Sequence, residues 1–400
     1  MISEKDRVSE RNLDFGTVIN RRNTRSIKYD SAKSKGYPED VLPLWVADMD
    51  FKTSSFVEDA LIELSRHNIY GYSETYEGDG FFEAVAGWMK ERHGFEVRPE
   101  WMVKTPGVCF AISVAVRALT SPGESVLIQQ PVYYPFSSIV RHNGRKLISS
   151  DLRYDGEGHY DIDFENFEKK IRENNVKLFI LCSPHNPVGR IWTEEELSRL
   201  GEICRSYGVL VFSDEIHFDF TWKRKHSVFQ ETDPSFKEFT ITATAPSKTF
   251  NLAGLQQSNI FIPNEKIRIR FQKEYRITGA EELNIFGITA AEAAYKNGGT
   301  WYEAMCRYVR DNIAFAGDFI RENLPGVILT ETEGTYLLWL DFTHTKIPPK
   351  DLDKTVINKA GLWLDDGALF GESGKGFQRI NAACPRSILK EALERLGRIV

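Results

Sequence analysis

Four short apolar runs in the middle of the chain each end on residues that can do chemistry. Ser125–Gln129 (SVLIQ) leads into Gln130-Pro131-Val132-Tyr133-Tyr134-Pro135, and Lys177–Cys182 (KLFILC) into Ser183-Pro184-His185-Asn186-Pro187-Val188-Gly189. Val209–Phe212 (VLVF) leads into Ser213-Asp214-Glu215-Ile216-His217, and Phe239–Ala243 (FTITA) into Thr244-Ala245-Pro246-Ser247-Lys248. Gathered on one rim, these residues offer aromatic faces, an amide, a carboxylate, an imidazole, a hydroxyl and an amine. A lysine amine is nucleophilic once deprotonated, and burial favours that form. Upstream, Thr105-Pro106-Gly107-Val108-Cys109 precedes a helical pattern. A glycine turn that opens a helix leaves free backbone N–H groups at a positive dipole end, which suits a phosphate.

For these residues to meet, the runs must be strands of one sheet. They are short, rich in β-branched and aromatic residues, and bounded by Gly, Pro, Ser or Asp, as strands buried on both faces are. Asn259–Ile262 (NIFI) reads the same way. Helical patterns lie between and around them at Gly80–His93, Phe110–Thr120 and Thr193–Tyr207. The last has Thr193 as N-cap and Glu196 three positions on, as in a capping box, with Gly208 after its end. Strands alternating with helices predict an α/β fold with a mainly parallel sheet between helices, and ligands in such sheets bind beyond the carboxyl ends of the strands. After about residue 290 the texture changes to a long charged helix over Trp301–Asn323, an extended run Tyr336–Phe342, a glycine-rich loop Gly371–Gly376 and a last helix near Ser387–Ile399. The expected organisation is an N-terminal segment, 1–48, packed with a small α+β domain, 291–400, and a large domain, 49–290.

Composition excludes several classes of function. In 400 residues, 42% apolar and 27% charged, the chain can build a large core. The net charge of −6 comes without a long basic run, so no electrostatic footprint for nucleic acid is present. The five cysteines are scattered, odd in number and never in a C-x-x-C pair, which argues against a disulfide framework and a structural zinc site. The eight histidines are dispersed, and H-E-x-x-H, G-x-x-x-x-G-K-[ST] and a G-x-G-x-x-G after a strand are all absent, so no metal is expected. The charged start MISEKDRVSERNLDFG is unlike a secretory signal, and no stretch approaches the about 18 apolar residues of a membrane span. A cytoplasmic protein that does not bind membranes is expected.

Asn186-Pro187-x-Gly189, Asp214-x-x-His217 and Ser247-Lys248 stand in the order in which the fold-type I pyridoxal-5′-phosphate (PLP) enzymes carry them. The chain resembles that class, the class I/II aminotransferase superfamily, from about residue 12 to its end. The stretches LPLWVADMDF (Leu42–Phe51), YGYSE (Tyr70–Glu74), PVYYPF (Pro131–Phe136), SPHNPVGR (Ser183–Arg190), SDEIHFD (Ser213–Asp219), APSKTFNLAG (Ala245–Gly254) and GFQRIN (Gly376–Asn381) are similar to the carbon–sulfur β-lyase branch, which holds cystathionine β-lyases and the cystalysin, MalY and PatB types.

The resemblance implies a role for each of these residues. Lys248 holds PLP as a Schiff base and moves the substrate's Cα proton. Asp214 pairs with the pyridinium nitrogen, which makes the ring an electron sink. Asn186 and His217 lie at the cofactor's phenolic oxygen, His217 where many aminotransferases of this fold have a tyrosine. Tyr133 stacks on the ring, with Tyr134 as a neighbour on the substrate side. Ser247 and the backbone of Val108 and Cys109 hold the phosphate. Arg379 forks onto the substrate α-carboxylate, for which a planar guanidinium suits better than a lysine. Tyr72 reaches the phosphate of the neighbouring subunit's cofactor, which requires a homodimer with a shared site. The sequence departs from many class I aminotransferases at Gln256, eight residues after Lys248, where those have an arginine that anchors the phosphate. Trp45, Asp48 and His185 carry no assigned role.

The reaction so implied is α,β-elimination of L-cystathionine or a related cysteine S-conjugate to pyruvate, ammonia and a thiol. An aminotransferase would use the same cofactor-holding residues, since the two chemistries diverge only after the Cα proton has left. A PLP-sensing regulator or partner-binding protein is the reading from another class. Only about 45 residues precede VADMDF, and they contain no basic recognition helix.

Overall fold

The computed structural model describes residues 9–76 and 78–400, so the first half of the charged start lies outside the described residues. Seven strands make the central sheet: β1 (Met102–Thr105), β2 (Ser125–Ile128), β3 (Lys146–Ser149), β4 (Val176–Cys182), β5 (Leu210–Asp214), β6 (Thr240–Thr244) and β7 (Ser258–Phe261). Their order is β1-β7-β6-β5-β4-β2-β3. Neighbours from β6 to β3 run parallel, while β7 is antiparallel to both β1 and β6. The five apolar runs read from sequence are all strands, with ends moved by a residue or two. Every residue of β2 and β6 is buried, the alternating threonines of β6 included, because helices cover both faces of the sheet. The two strands that sequence reading passed over, β1 (MVKT) and β3 (KLIS), lie at the sheet's two edges and are less apolar.

Helix α1 (Phe81–His93), α2 (Val108–Leu119) and α3 (Glu194–Ser206) fall where periodicity placed them. The capping box of α3 is formed, with Thr193 accepting from the Glu196 amide and Glu196 from the Thr193 amide. Helix α2 starts two residues earlier than its apolar pattern, at a Gly107 N-cap. The long helix α4 (Gly299–Asn323) buries Trp301, Met305 and Val309 in one core with Phe81 and Trp88 at its start, and Ala316 and Ile320 in a different core at its end. That second core lies under an antiparallel sheet of β8 (Ile328–Leu329), β9 (Leu337–Asp341), β10 (Asp365–Asp366) and β11 (Phe377–Asn381), in the order β8-β9-β11-β10, together with α5 (Arg386–Leu396). Among the described residues, no helix is long and apolar enough to cross a membrane.

The N-terminal segment runs alongside this smaller sheet and then crosses to the larger one. Leu42 and Pro43 pair in parallel with Leu362 and Trp363, and Trp45 stacks on Trp363 at 4.4 Å. From Trp45 to Phe51 the backbone belongs to no sheet, so its polar groups need other partners. Arg379 donates to the Trp45 carbonyl (2.8 Å), and Asn381 Nδ2 to those of Val46 (2.7 Å) and Asp48 (2.6 Å). Asn251 Nδ2 serves the carbonyls of Met49 (3.0 Å) and Phe51 (3.1 Å), while its Oδ1 accepts the Met49 amide (2.9 Å). Two carboxylates of the strap, Asp48 and Asp50, are neutralised by Arg21 and by Lys28, whose side chain is wholly buried. The strap is thereby stitched to β11 on one side and to the loop after Lys248 on the other.

Asn381→Ala would strip donors from two of these carbonyls. We expect a loss of about 2 kcal/mol, seen as a lower apparent Tm and as faster hydrogen exchange at the amides of residues 45–51. Unchanged exchange there would show that the strap does not depend on this side chain.

Candidate active site

The carboxyl ends of β4, β5 and β6 lie side by side, with Cys182 opposite Asp214 and Asp214 opposite Ala243. Beyond them is a cavity of about 180 Å³. Eight of the residues singled out from sequence line it: Val108, Cys109, Tyr133, Asn186, Asp214, His217, Ser247 and Lys248.

Lys248 sits in a single helical turn, Pro246–Thr249, just past β6. Its Nζ donates to the Ala47 carbonyl of the strap at 2.7 Å, and the Tyr336 hydroxyl donates to the same oxygen at 2.9 Å. The turn is pinned from behind. Thr249 donates to the buried carboxylate of Asp219, which also accepts from Trp88 (3.1 Å) and meets His93 (2.8 Å) on α1. Burial pushes the Lys248 amine below its ordinary pKa, while Asp48 pulls it back up.

Asp214 ends β5. Burial raises its carboxyl to about 7, against the opposing pull of the Ile216 amide (3.1 Å) and Lys248. His217 is buried and held neutral, first by desolvation and then by the nearby Lys248 and Arg379. Its Nδ1 has no partner among the described residues. Asn186 is joined to Tyr133 by a backbone hydrogen bond (3.0 Å), which brings the β2 and β4 loops together. Burial lifts the Cys109 thiol to about 11, so it stays protonated.

The start of α2 lines the same cavity. Gly107 has φ 137 and no side chain to cap the helix, so the first amides of α2 are open at the cavity wall. Ser247 and Gln256 also line the cavity, and among the described residues no arginine does.

This donor set fits PLP. Helix amides and a hydroxyl suit the phosphate. A buried carboxyl suits the ring nitrogen, an amide and an imidazole nitrogen without a partner suit the phenolic oxygen, and a lysine amine suits the aldehyde.

Three expected site residues stand elsewhere. Arg379 is off the cavity wall but donates through Nη1 to Asn186 Oδ1 at 2.9 Å. Its fork is not free, since Nη2 donates to the Trp45 carbonyl and forms an ion pair with Asp365. Tyr134 leans on Tyr133 and meets Phe370 edge-on, next to the cavity rather than in its wall. Tyr72 is 95% exposed and lines a different surface hollow with Lys104 and Tyr275. His185, left without a role, has its Nε2 2.9 Å from the Pro131 carbonyl and is kept neutral by burial, with a pKa of about 4.

Sequence reading missed Ala47, Tyr336 and Asp365. Ala47 acts through its backbone oxygen and so has no side-chain signature. Asp365 lies in a Leu-Asp-Asp-Gly run that looks like a turn.

The raised pKa of Asp214 couples the site to stability. The folded protein holds this proton more tightly than the unfolded chain, so the stabilisation is complete below 3.8 and is lost as pH rises to about 7. Asp214→Asn should therefore raise the apparent Tm of cofactor-free protein more at pH 8 than at pH 5, and weaken PLP binding in a spectral titration. An equal shift at both pH values would contradict this linkage.

Comparison with known proteins gives a consistent picture. The family of class I and II aminotransferases matches residues 39–396. Cystathionine beta-lyase PatB of Bacillus subtilis (strain 168) is 41% identical over 96% of this chain and 99% of its own. The PLP-containing crystal structure of cystalysin from Treponema denticola superposes with a TM-score of 0.92 at 39% identity, covering 96% of this chain and 98% of that one. The PLP-bound C–S lyase of Staphylococcus hominis, complexed with L-cycloserine, gives 0.90 at 33% identity over 96% and 98%. This chain belongs to the class I and II aminotransferase family.

Proposed function

We propose that this chain is a PLP-dependent carbon–sulfur β-lyase that eliminates the thiol from L-cystathionine or related cysteine S-conjugates, leaving pyruvate and ammonia. The observation that carries the reading is the meeting of Lys248 and Asp214 in one cavity at neighbouring strand ends. Likeness to lyases over nearly the whole chain supports elimination over amino transfer.

When bound, PLP draws electron density from the substrate's Cα and stabilises the charge left there. The protein supplies the rest. Lys248 is the covalent anchor, and its amine, kept more neutral by burial, takes the Cα proton. Asp214 holds the ring nitrogen, whose positive charge favours the carboxylate form that burial opposes. Neutral His217 and Asn186 orient the phenolic oxygen, and Tyr133 packs on the ring. Val108 and Cys109 amides with Ser247 hold the phosphate. Arg379, reached through Asn186, receives the α-carboxylate, with Tyr134 beside the substrate.

The same reading includes a cytoplasmic homodimer in which Tyr72 reaches the partner subunit's phosphate site. Exposure of Ile69, Tyr70, Tyr72 and Tyr76 on one segment supports an interface there, and the unpaired cysteines fit a reducing compartment. It also includes a large unit, 49–290, and a small unit, 291–400, with the N-terminal segment, 1–48, on the small one. The separate core beneath β8–β11 and the pairing of Leu42 with Leu362 favour that division.

Incubation with PLP and L-cystathionine, without a 2-oxo acid, should release pyruvate and free thiol. Amino transfer on adding an acceptor, with no pyruvate before it, would make the enzyme an aminotransferase. Borohydride reduction should fix the cofactor to the native chain and not to Lys248→Ala; a fixed adduct in that variant would refute the assignment of Lys248.

A further inference from the structure

A guanidinium has two edges that grip a carboxylate with paired N–H groups, Nη1 with Nη2 and Nε with Nη2. Both edges spend an Nη2 hydrogen. In Arg379 both Nη2 hydrogens are taken, one by the Trp45 carbonyl at 2.8 Å and one by Asp365 Oδ2. One Nη1 hydrogen goes to Asn186, and Nε is buried with no partner among the described residues. A substrate carboxylate therefore cannot use either edge until one of the two Nη2 acceptors leaves.

The two acceptors are not equivalent. The Trp45 carbonyl is backbone, held in a strap that is hydrogen-bonded along its length. Asp365 holds on by a side chain that can rotate. It faces Arg379 directly across the β10–β11 pair, and its side chain is only 2% exposed. It is also the same chemical group as the incoming ligand. Asp366 and Asp353 add negative charge around it, so a further carboxylate arriving while Asp365 stays in place would meet like charge.

We infer that Asp365 occupies the place on Arg379 that the substrate α-carboxylate takes, and is a built-in competitor that sets the enzyme's affinity for amino acids. The inference rests on Arg379 as the carboxylate-binding residue. Asp365 is a specificity-determining residue in this scheme and touches no reacting atom. Its replacement by asparagine keeps a hydrogen-bond acceptor for Nη2 and removes the competing charge.

The test compares Asp365→Asn and Asp365→Ser holoenzymes with the native one. Propionate, a carboxylate without an amine, is titrated against the visible absorption of the bound cofactor, and KM is measured for L-cystathionine and for L-cysteine methyl ester. Loss of one competing charge should lower the propionate dissociation constant and the cystathionine KM about five-fold or more, with kcat little changed and the ester's KM unmoved. Constants that stay the same or rise in both variants would show that Asp365 only positions Arg379, and would overturn the inference. Arg379→Lys separates this from failure of the underlying reading. If that variant binds propionate as well as the native enzyme does, the carboxylate sits elsewhere and both ideas fall.

Discussion

The Ala47 carbonyl accepts from Lys248, after the larger sheet's β6, and from Tyr336, before the smaller sheet's β9. It belongs to a strap without regular structure, whose backbone oxygens must be satisfied by side chains because no neighbouring strand can do so. Those side chains come from distant parts of the chain: Arg379 and Asn381 from β11, Tyr336 from just before β9, Asn251 and Lys248 from the region after β6. Satisfying the strap therefore brings the carboxylate-binding candidate, the amine and the smaller sheet to one place. Removing Arg379 or Asn381 takes the side-chain donor from the carbonyl of Trp45 or Val46, a cost that ties the site's geometry to the stability of the fold.

Burial then sets the protonation states. The same desolvation that pushes Lys248 down pushes Asp214 up and keeps His217 and His185 neutral. Taken alone these groups are under-charged for their type. In the proposed reading, a ligand carrying a phosphate, a basic ring nitrogen and an aldehyde would reverse the balance, supplying the opposite charge at Asp214 and consuming the amine of Lys248. The proposed phosphate donors would follow the same economy of charge, with open helix amides, Ser247 and Gln256 in place of an arginine. Buried cations elsewhere are held by paired carboxylates, as Lys28 is by Asp48 and Asp50, and Arg190 by Glu333.

Much of the fold was legible in the sequence because its signals are local. Strands buried on both faces are short continuous apolar runs, and five of them were found within a residue or two of their observed ends. The capping box at Thr193 and Glu196 has a fixed spacing, and the structure forms it. The edge strands β1 and β3 escaped because their less apolar composition lacks that pattern. At the site, side chains that follow directly on a strand, such as Lys248 after β6, were legible from their position alone.

What the sequence determined by itself was the set of reactive side chains at the strand ends, the order that resembles PLP enzymes, and the family those motifs point to. What only the tertiary structure decided was which acceptors those side chains meet. Arg379 and Trp45 are 334 residues apart, and Lys248 and Ala47 are 201 apart. The acceptors they use are backbone oxygens, which every residue type carries alike, so no pattern of side chains encodes the choice. The pairing of Arg379 with Asp365 depends on the register of β10 against β11, which is set by packing of the smaller sheet. Residue type fixes what a group can donate or accept, and the packed chain fixes what remains free to do so.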